Sequence, residues 1–455
     1  MDPRYILPLE IWQMIFEFSN FISKIRLYQA TKYFHNNLVF DDFYKIPNQF
    51  RIRLDDKILK NYHQIKYLDA DNNGKITNIN HLTNLKILEA AYFCGIDNAG
   101  ISSLNLLELK INHNLKISEI NHMTNLTKLW VSSDWNIIND SGISELNLIE
   151  LYASHNLNIT NVNHMTNLTK LICCGNFCRI GDSGITKLDL KILSCDNNPK
   201  ITNINHMTNL TSLSAGYSSG IDDRGISQLI NLRDLDATNN PRITNINHMT
   251  NLTLLYATDN CGISDRSISQ LNLMYLWGCS NPKITNVNHM TNLIELEASG
   301  NSGIDDLGLG QLNVLQLWAC DNPKITNVNH MTNLTKLIAS GNCGIDDLGI
   351  RNLNNLIELD ANSNTKITNV NHMTNLTKLE ALGDCGIADS GIVNLNLKEL
   401  QADNNTKITN VNNMTNLTKL DACRDCGISD SGICYLNLKR LNAYQNPKIR
   451  MRLYS

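Results

Sequence analysis

The string NVNHMTNLTKL occupies residues 161–171. Close copies begin at Asn203, Asn245, Asn286, Asn327, Asn369 and Asn410, with looser ones at Asn78 and Glu119. Its fourth position is histidine in eight of the nine copies. Histidine can ligate a metal or pass a proton near neutral pH, so such a row could be a set of metal sites or a repeated acid–base device. Cys423-x-x-Cys426 adds a half-motif for zinc or for thiol–disulfide chemistry. Spacing argues against both. The copies recur at a nearly constant interval, as the starts at Asn161, Asn203 and Asn245 show. If each copy returns to the same place in every second coil of a stack, neighbouring histidines stand roughly 10 Å apart, whereas a zinc ligand must lie about 2 Å from its ion. His164, His206, His248, His289, His330 and His372 are therefore expected as a chemically idle row on the outside or rim, with Asn413 replacing the ninth. Cys423 falls on a strand and Cys426 in a turn, and no second pair accompanies them. The sequence also lacks a phosphate-cradling glycine loop, G-x-S-x-G and H-E-x-x-H. No catalytic residue, metal or cofactor is expected.

The elements that would position these residues follow from a shorter pattern. L-x-x-L-x-small recurs nineteen times, first at Ile65 and last at Leu438. Shorter and slightly longer steps alternate, as from Leu190 to Leu210 and from Leu210 to Leu232. This predicts an α/β solenoid, a leucine-rich-repeat horseshoe of about nineteen short parallel strands over residues 65–446, preceded by a small helical domain. Leu190 to Cys195 alternates as a strand, whereas Ile201, Ile204, Met207 and Leu210 recur every three residues, as a tight 3₁₀-like return does. Eight residues past the first leucine of each shorter coil stands asparagine, as at Asn114, Asn156, Asn198 and Asn240. An amide inside the stack can both donate to and accept from the backbone of neighbouring coils. The longer coils instead carry cysteine one residue further on, at Cys94, Cys261, Cys343, Cys385 and Cys426. They continue into segments such as CGIDDLGI, whose Asp or Ser is a suitable cap for a short helix.

One row varies while the framework does not. The position four after the first leucine faces outward and includes Trp130, Tyr152, Asp236, Tyr256, Trp277, Glu297, Trp318 and Asp360. Aromatic side chains among polar ones suit a binding surface, and these eight residues are the expected target-binding face. Trp277 and Trp318 lie two strands apart, so their rings are expected roughly 10 Å from each other. Two positions earlier, charge alternates along Glu108, Lys128, Glu150 and Lys170, and again along Glu358, Lys378, Glu399 and Lys419. This predicts ion-pair ladders between strands.

The 455 residues carry a formal net charge of -4, which argues against general affinity for nucleic acid or anionic membrane. No apolar run reaches the roughly 18 residues that a membrane span needs. The opening MDPRYILPLE has no basic region followed by an apolar one, as a secretory signal has. Thirteen cysteines then read as reduced thiols in a cytoplasmic protein.

Residues 1–64 do not repeat. LPLEIWQMIFEF predicts a helix opened by Pro8 and apolar on most sides, and KIRLYQATKYFHNNL predicts a second helical stretch. Through Leu7, Pro8, Glu10, Ile11, Ile15 and Phe16, the first stretch resembles the start of an F-box, L-P-x-E-(I/L)-x-x-x-I-(F/L). ATKYFHNNL stands where that family carries a helix with Cys and Trp, and here the Trp is absent. Together with the regular repeats and the excess of Asn, Ile and Lys, the chain is similar to F-box/leucine-rich-repeat proteins of mimivirus-like giant DNA viruses. The resemblance implies an F-box-like helical domain over 1–45, a linker or N-terminal cap over 46–64, the solenoid over 65–446 and a C-terminal cap or tail over 447–455. It further implies that Leu7, Pro8, Leu9, Glu10, Ile11, Trp12, Ile15 and Phe16 dock on a Skp-type adaptor. The solenoid would then hold targets for a cullin–RING ubiquitin ligase in the host cell. A free-standing binding or decoy protein is the other class of reading.

Overall fold

The coil that starts at Leu190 shows how the sequence becomes structure. Leu190, Leu193, Cys195, Ile201, Ile204, Met207 and Leu210 are all at most 1 % exposed. Leu193 is the centre of a three-residue strand, Ile192–Ser194. Asn197 then adopts a left-handed backbone, φ 57°, which asparagine tolerates better than most residues. That turn delivers Asn198 to the interior, where it is fully buried. The return runs through i→i−3 bonds, from Met207 N–H to Ile204 O at 3.0 Å and from Leu210 N–H to Met207 O at 3.1 Å. These bonds put every third side chain inside, as the spacing predicted.

The computed structural model describes residues 7–38, 41–43 and 46–450, apart from the side chains of residues 18, 21, 35, 36 and 42. The proposed C-terminal tail is described only to residue 450. Nineteen such strands run parallel, from β2 (Tyr67–Asp69) to β20 (Arg440–Asn442). A two-residue strand, β1 (Asp42–Phe43), pairs in parallel with β2. The chain divides into two compact units, Met1–Leu210 with Ser218–Gly220, and Thr211–Tyr217 with Ile221–Ser455.

In unit 1, three helices come first: α1 (Leu9–Phe18), α2 (Phe21–Ala30) and α3 (Lys32–Asn37). Their core is aromatic. Phe16 packs on Tyr28, ring centres 6.3 Å apart, and Trp12 meets Phe34 edge-on at 4.9 Å. Two short helices, α4 (Asn48–Arg51) and α5 (Asp56–Leu59), then close the first coil. Asn73 donates to Arg51 O at 2.7 Å and Leu54 O at 3.0 Å. Residues 46–59 thus bond to the first coil as each coil bonds to the next.

The asparagines hold the stack in both units. Asn198 donates to Cys173 O and Ile180 O of the preceding coil and accepts from Lys200 N–H. Asn240 repeats this with Ala215 O, Ile221 O and Arg242 N–H. Each buried amide therefore satisfies three backbone groups that the turns leave unpaired. Except in the coil from Leu126, where Asn136 holds it, the interior position of the longer coils belongs to small groups: fully or almost fully buried Cys94, Cys178, Cys261, Cys343, Cys385 and Cys426, and fully buried Ser219 and Ser302. There the backbone carbonyl is reached from outside, as when Lys283 Nζ donates to Cys261 O at 2.8 Å and Lys407 Nζ to Cys385 O at 2.9 Å.

The repeated string that opened the sequence is explained residue by residue. Thr160 N–H and Oγ1 donate to Asp140 of the preceding coil at 2.7 and 2.5 Å. Val162, Met165 and Leu168 are core. Asn163 donates to Ser183 O and accepts from Lys187 N–H of the following coil. His164 Nε2 lies 3.0 Å from Ile143 O, at the end of the preceding return helix. A carbonyl only accepts, so this bond places the imidazole proton on Nε2. His206, His248, His289, His330 and His372 repeat the contact, with distances from 3.0 Å to 3.1 Å. The row stands on the outside as expected, with His164, His206, His289 and His330 exposed and His248 and His372 half-buried, and its imidazoles also tie neighbouring coils together. Asn413 reaches Val393 O instead, at 2.8 Å. Most long coils also place an Asp at the first position of a short return helix, as Asp306 is in Asp306–Leu309. Capping falls to the residue before it, as Asp305 accepts from Gly308 N–H, whereas Asp306 holds Thr326 and Asn327 of the next coil. The residue two on, glycine in most coils, stands close to the Thr carbonyl of the preceding coil. A Cβ on Gly184 would stand 2.1 Å from Thr160 O. Where serine replaces it, Ser267 Oγ donates to the equivalent Thr244 O at 2.5 Å.

Replacing Asn240 by Leu removes the bonds to two buried carbonyls and one N–H. The expected cost is about 1–3 kcal/mol, measured as a lowered midpoint in urea. An unchanged midpoint would show that the amide ladder does not carry the stack.

Candidate interaction surface

The strand residues point alternately inward and outward, and registration lines the outward ones up in rows. In unit 1, Lys128 sits between Glu108 and Glu150 by register, with Nζ 3.8 and 3.2 Å from their carboxylates. In unit 2, Lys419 pairs with Glu399 at 3.3 Å, but Lys378 turns to Glu380 of its own strand at 2.8 Å. The second ladder is thus only partly cross-strand. These groups are a fifth or more exposed, so each pair contributes well under about 1 kcal/mol.

The adjacent row holds the variable residues, and two groups of aromatics stack within it. In unit 1, Trp130 lies on Tyr152 with ring centres 4.6 Å apart and planes 8° from parallel. Lys110 covers the Trp130 ring at 5.1 Å and Lys170 the Tyr152 ring at 5.1 Å. In unit 2, Tyr256 stacks on Trp277 at 5.6 Å, and Trp277 reaches Trp318 at 5.6 Å. Lys336 sits over Trp318 at 5.4 Å. The two indoles are therefore much closer than the two strand spacings expected of them. They lean together across the shorter Glu297 because ring contact removes apolar surface from water.

Glu297 is correspondingly not exposed. It lies between Trp277 and Trp318 in register and is 7 % accessible. Oε1 accepts from Ser299 N–H at 3.2 Å, while Oε2 has no hydrogen-bond partner among the described residues. Burial raises its pKa above the ordinary carboxylate range. Asp236 and Asp360, also expected on this face, are half-buried and turn back to their own chains, accepting from Thr238 N–H and Asn362 N–H at 2.9 Å. Burial raises the pKa of Asp360 as well.

At the other end of unit 1, α1 presents Ile11, Met14 and Ile15, 39 %, 52 % and 41 % exposed. Pro8 and Glu10 are exposed, and Leu7, Leu9 and Trp12 half-buried. Phe16, expected on the docking face, is 2 % exposed and belongs to the helical core. The i, i+4 spacing of Trp12 and Phe16 turns that stripe inward, leaving Ile11 and Ile15 on the outer one.

Sequence reasoning missed one apolar feature. Tyr92, Phe93, His113, Leu115 and Trp135 line a groove of about 450 Å³ on the turn edge of unit 1. Phe93 is 85 % exposed and Trp135 65 %. The signal was positional, since in unit 2 the places of Phe93 and Leu115 hold Asn, Asp, Pro or Thr. Three carboxylates, Asp69, Asp71 and Glu89, also gather within 4.8 Å. Burial and its acidic neighbours push Asp71 up to about 6. Arg51 answers Asp69 at 2.9 Å and Lys110 answers Glu89 at 2.5 Å. Among the described residues no helix is long and apolar enough to cross a membrane.

No protein-family model and no curated protein matches the chain. Solved structures do. The chain is similar to TLR13 in its complex with ssRNA13, at 18% identity over 86% of this chain and 72% of that one, TM-score 0.51. It is also similar to an internalin of Listeria monocytogenes, at 20% identity over 80% and 88%, TM-score 0.36. A leucine-rich-repeat protein of Leptospira interrogans matches at 17% identity over 85% and 88%, TM-score 0.38. At these identities the likeness establishes the leucine-rich-repeat fold and nothing finer.

Two outcomes follow. A double-mutant cycle on Trp130→Ala and Tyr152→Ala should return about 0.5–1.5 kcal/mol of coupling in chemical denaturation; additive effects would refute the stack. Because Glu297 has a raised folded pKa, its protonated form is the one the fold favours. That contribution is complete below the unfolded carboxylate value, about 4.3, and is lost as pH rises through the folded value. Glu297→Gln should therefore raise the melting temperature at pH 8, with the advantage gone at pH 4. An equal or lower melting temperature at pH 8 would contradict a desolvated carboxylate.

Proposed function

We propose that the chain is a non-catalytic interaction protein that recruits targets to a cullin–RING, SCF-type ubiquitin ligase. The strand face would bind the target, and residues 1–45 would dock on a Skp-type adaptor. The observation that carries the second half is the outer stripe of α1. Ile11, Met14 and Ile15 are exposed on a helix whose other stripe, Trp12 and Phe16, is packed. A helix that only sealed a coil would have no use for a second apolar stripe. That stripe begins at the Leu7-Pro8-x-Glu10-Ile11 pattern that resembles an F-box. The first half rests on the aromatic rows, where apolar surface and charged neighbours combine as they do at interface centres.

The two surfaces lie on different parts of the sequence and can be tested separately. Ile11→Asp with Ile15→Asp should abolish recovery of a Skp-type adaptor in pull-downs, while Trp277→Ala should weaken target capture by at least about 2 kcal/mol and leave the adaptor bound. Equal adaptor recovery by the double variant and the parent would dismiss ligase recruitment through α1. The free-standing binding protein would then be the better account.

A further inference from the structure

We propose that Trp277, Glu297 and Trp318 form a receptor for one cationic side chain, the guanidinium of an arginine on the bound target. The proposal rests on the strand face being the target surface and specifies what that surface recognises.

Register places the two tryptophans on the strands either side of Glu297. Two strand spacings are roughly 9.6 Å, so upright indoles would face each other across about that gap. A flat group in contact with both needs about 3.5 Å to each face, so such a sandwich fits within two strand spacings. Upright rings therefore leave room for one planar cation, with the carboxylate as floor. In the free chain the rings close to 5.6 Å with planes 32° apart.

The floor calls for such a ligand. Glu297 is more than nine-tenths buried. The Cys279 thiol and the Ser299 hydroxyl lie beside the carboxyl and offset part of its burial, yet neither bonds Oε2. A buried carboxylate without a countercharge is costly, and a cation that arrives with its own hydrogen bonds relieves that cost. The nearby Lys336 does not do so: it lies over the Trp318 ring. That contact places a cation over the same ring. Arginine fits better than lysine because its plane can stack on both indoles while its N–H edge meets the carboxylate. An ammonium group has no flat face to offer.

The test uses the full chain labelled with 5-fluorotryptophan and followed by ¹⁹F NMR. Trp277→Phe and Trp318→Phe assign the two signals. Titration with N-acetyl-arginine amide should shift both signals saturably and leave those of Trp130 and Trp135 in place. Glu297→Gln should weaken binding at least about tenfold, as loss of a buried charge partner does. An unchanged circular dichroism spectrum would report that the coils of this variant are intact. N-acetyl-lysine amide should bind at least threefold more weakly. Absence of a saturable shift, or equal affinity in Glu297→Gln, overturns the receptor. Equal or tighter lysine binding overturns the choice of arginine. If Trp277→Ala abolishes target binding while the titration is silent, the strand-face reading stands and the cation receptor falls. If the titration succeeds and the target ignores Trp277, the target-arginine assignment falls together with the strand-face reading.

Discussion

The constraint on which this structure depends is the unpaired backbone inside each turn. Every coil must leave its strand, reverse and return, and the reversal turns carbonyls toward an apolar interior where no water can satisfy them. One buried amide per pair of coils solves this. Asn322, for example, donates to Ala298 O and Ile304 O of the preceding coil and accepts from Lys324 N–H of its own. Once the reversal is satisfied, leucine, isoleucine and methionine can fill the coil. The alternate coils can then use a thiol or hydroxyl in the same place, because lysines such as Lys283 and Lys366 reach those carbonyls from the outside.

This division of labour explains why so much of the sequence repeats and so little of it varies. The repeated string on the return side is fully engaged: threonine to the aspartate before it, the second asparagine to the helix after it, histidine to the helix end behind it. The polar atoms of these residue types are in use between coils. The outward strand row has no such duty. Its aromatics stack on one another, a lysine of the neighbouring row, Lys336, covers a ring face, and carboxylates such as Asp236 and Asp360 turn to their own backbone. Two buried carboxylate oxygens of the row, Asp421 Oδ1 and Glu297 Oε2, accept no hydrogen bond among the described residues, and the first has Arg440 at 3.8 Å. Glu297 lies beneath the two indoles that close on each other.

The periodic features were legible in the sequence because they depend on spacing alone. Nineteen strands, the asparagine ladder and the three-residue return follow from where leucine, isoleucine and asparagine recur. What was not legible depends on how side chains lean. Two-strand spacing puts Trp277 and Trp318 roughly 10 Å apart, but long rings over a short neighbour collapse to 5.6 Å. Phe16 matched a docking pattern, yet Tyr28 sits beside it and draws it inside. Of the two acidic residues in Asp305-Asp306, spacing alone does not tell that the first caps the helix and the second bonds Thr326 and Asn327 of the next coil. The groove at Tyr92, Phe93 and Trp135 escaped notice because it lies on the turn edge, where the repeat in unit 2 carries polar residues, glycine or proline.

The central claim is that the repeated residues are scaffold and the strand face is the recognition surface. Site-specific photocrosslinking in cells tests it most directly. A photoreactive residue placed at Ile338 or Gln401 on the strand face should crosslink to a discrete partner. The same residue at Leu307 or Leu348, which are 83 % and 69 % exposed on the return side, should give none. Crosslinks from the return positions with silence from the strand face would contradict the account.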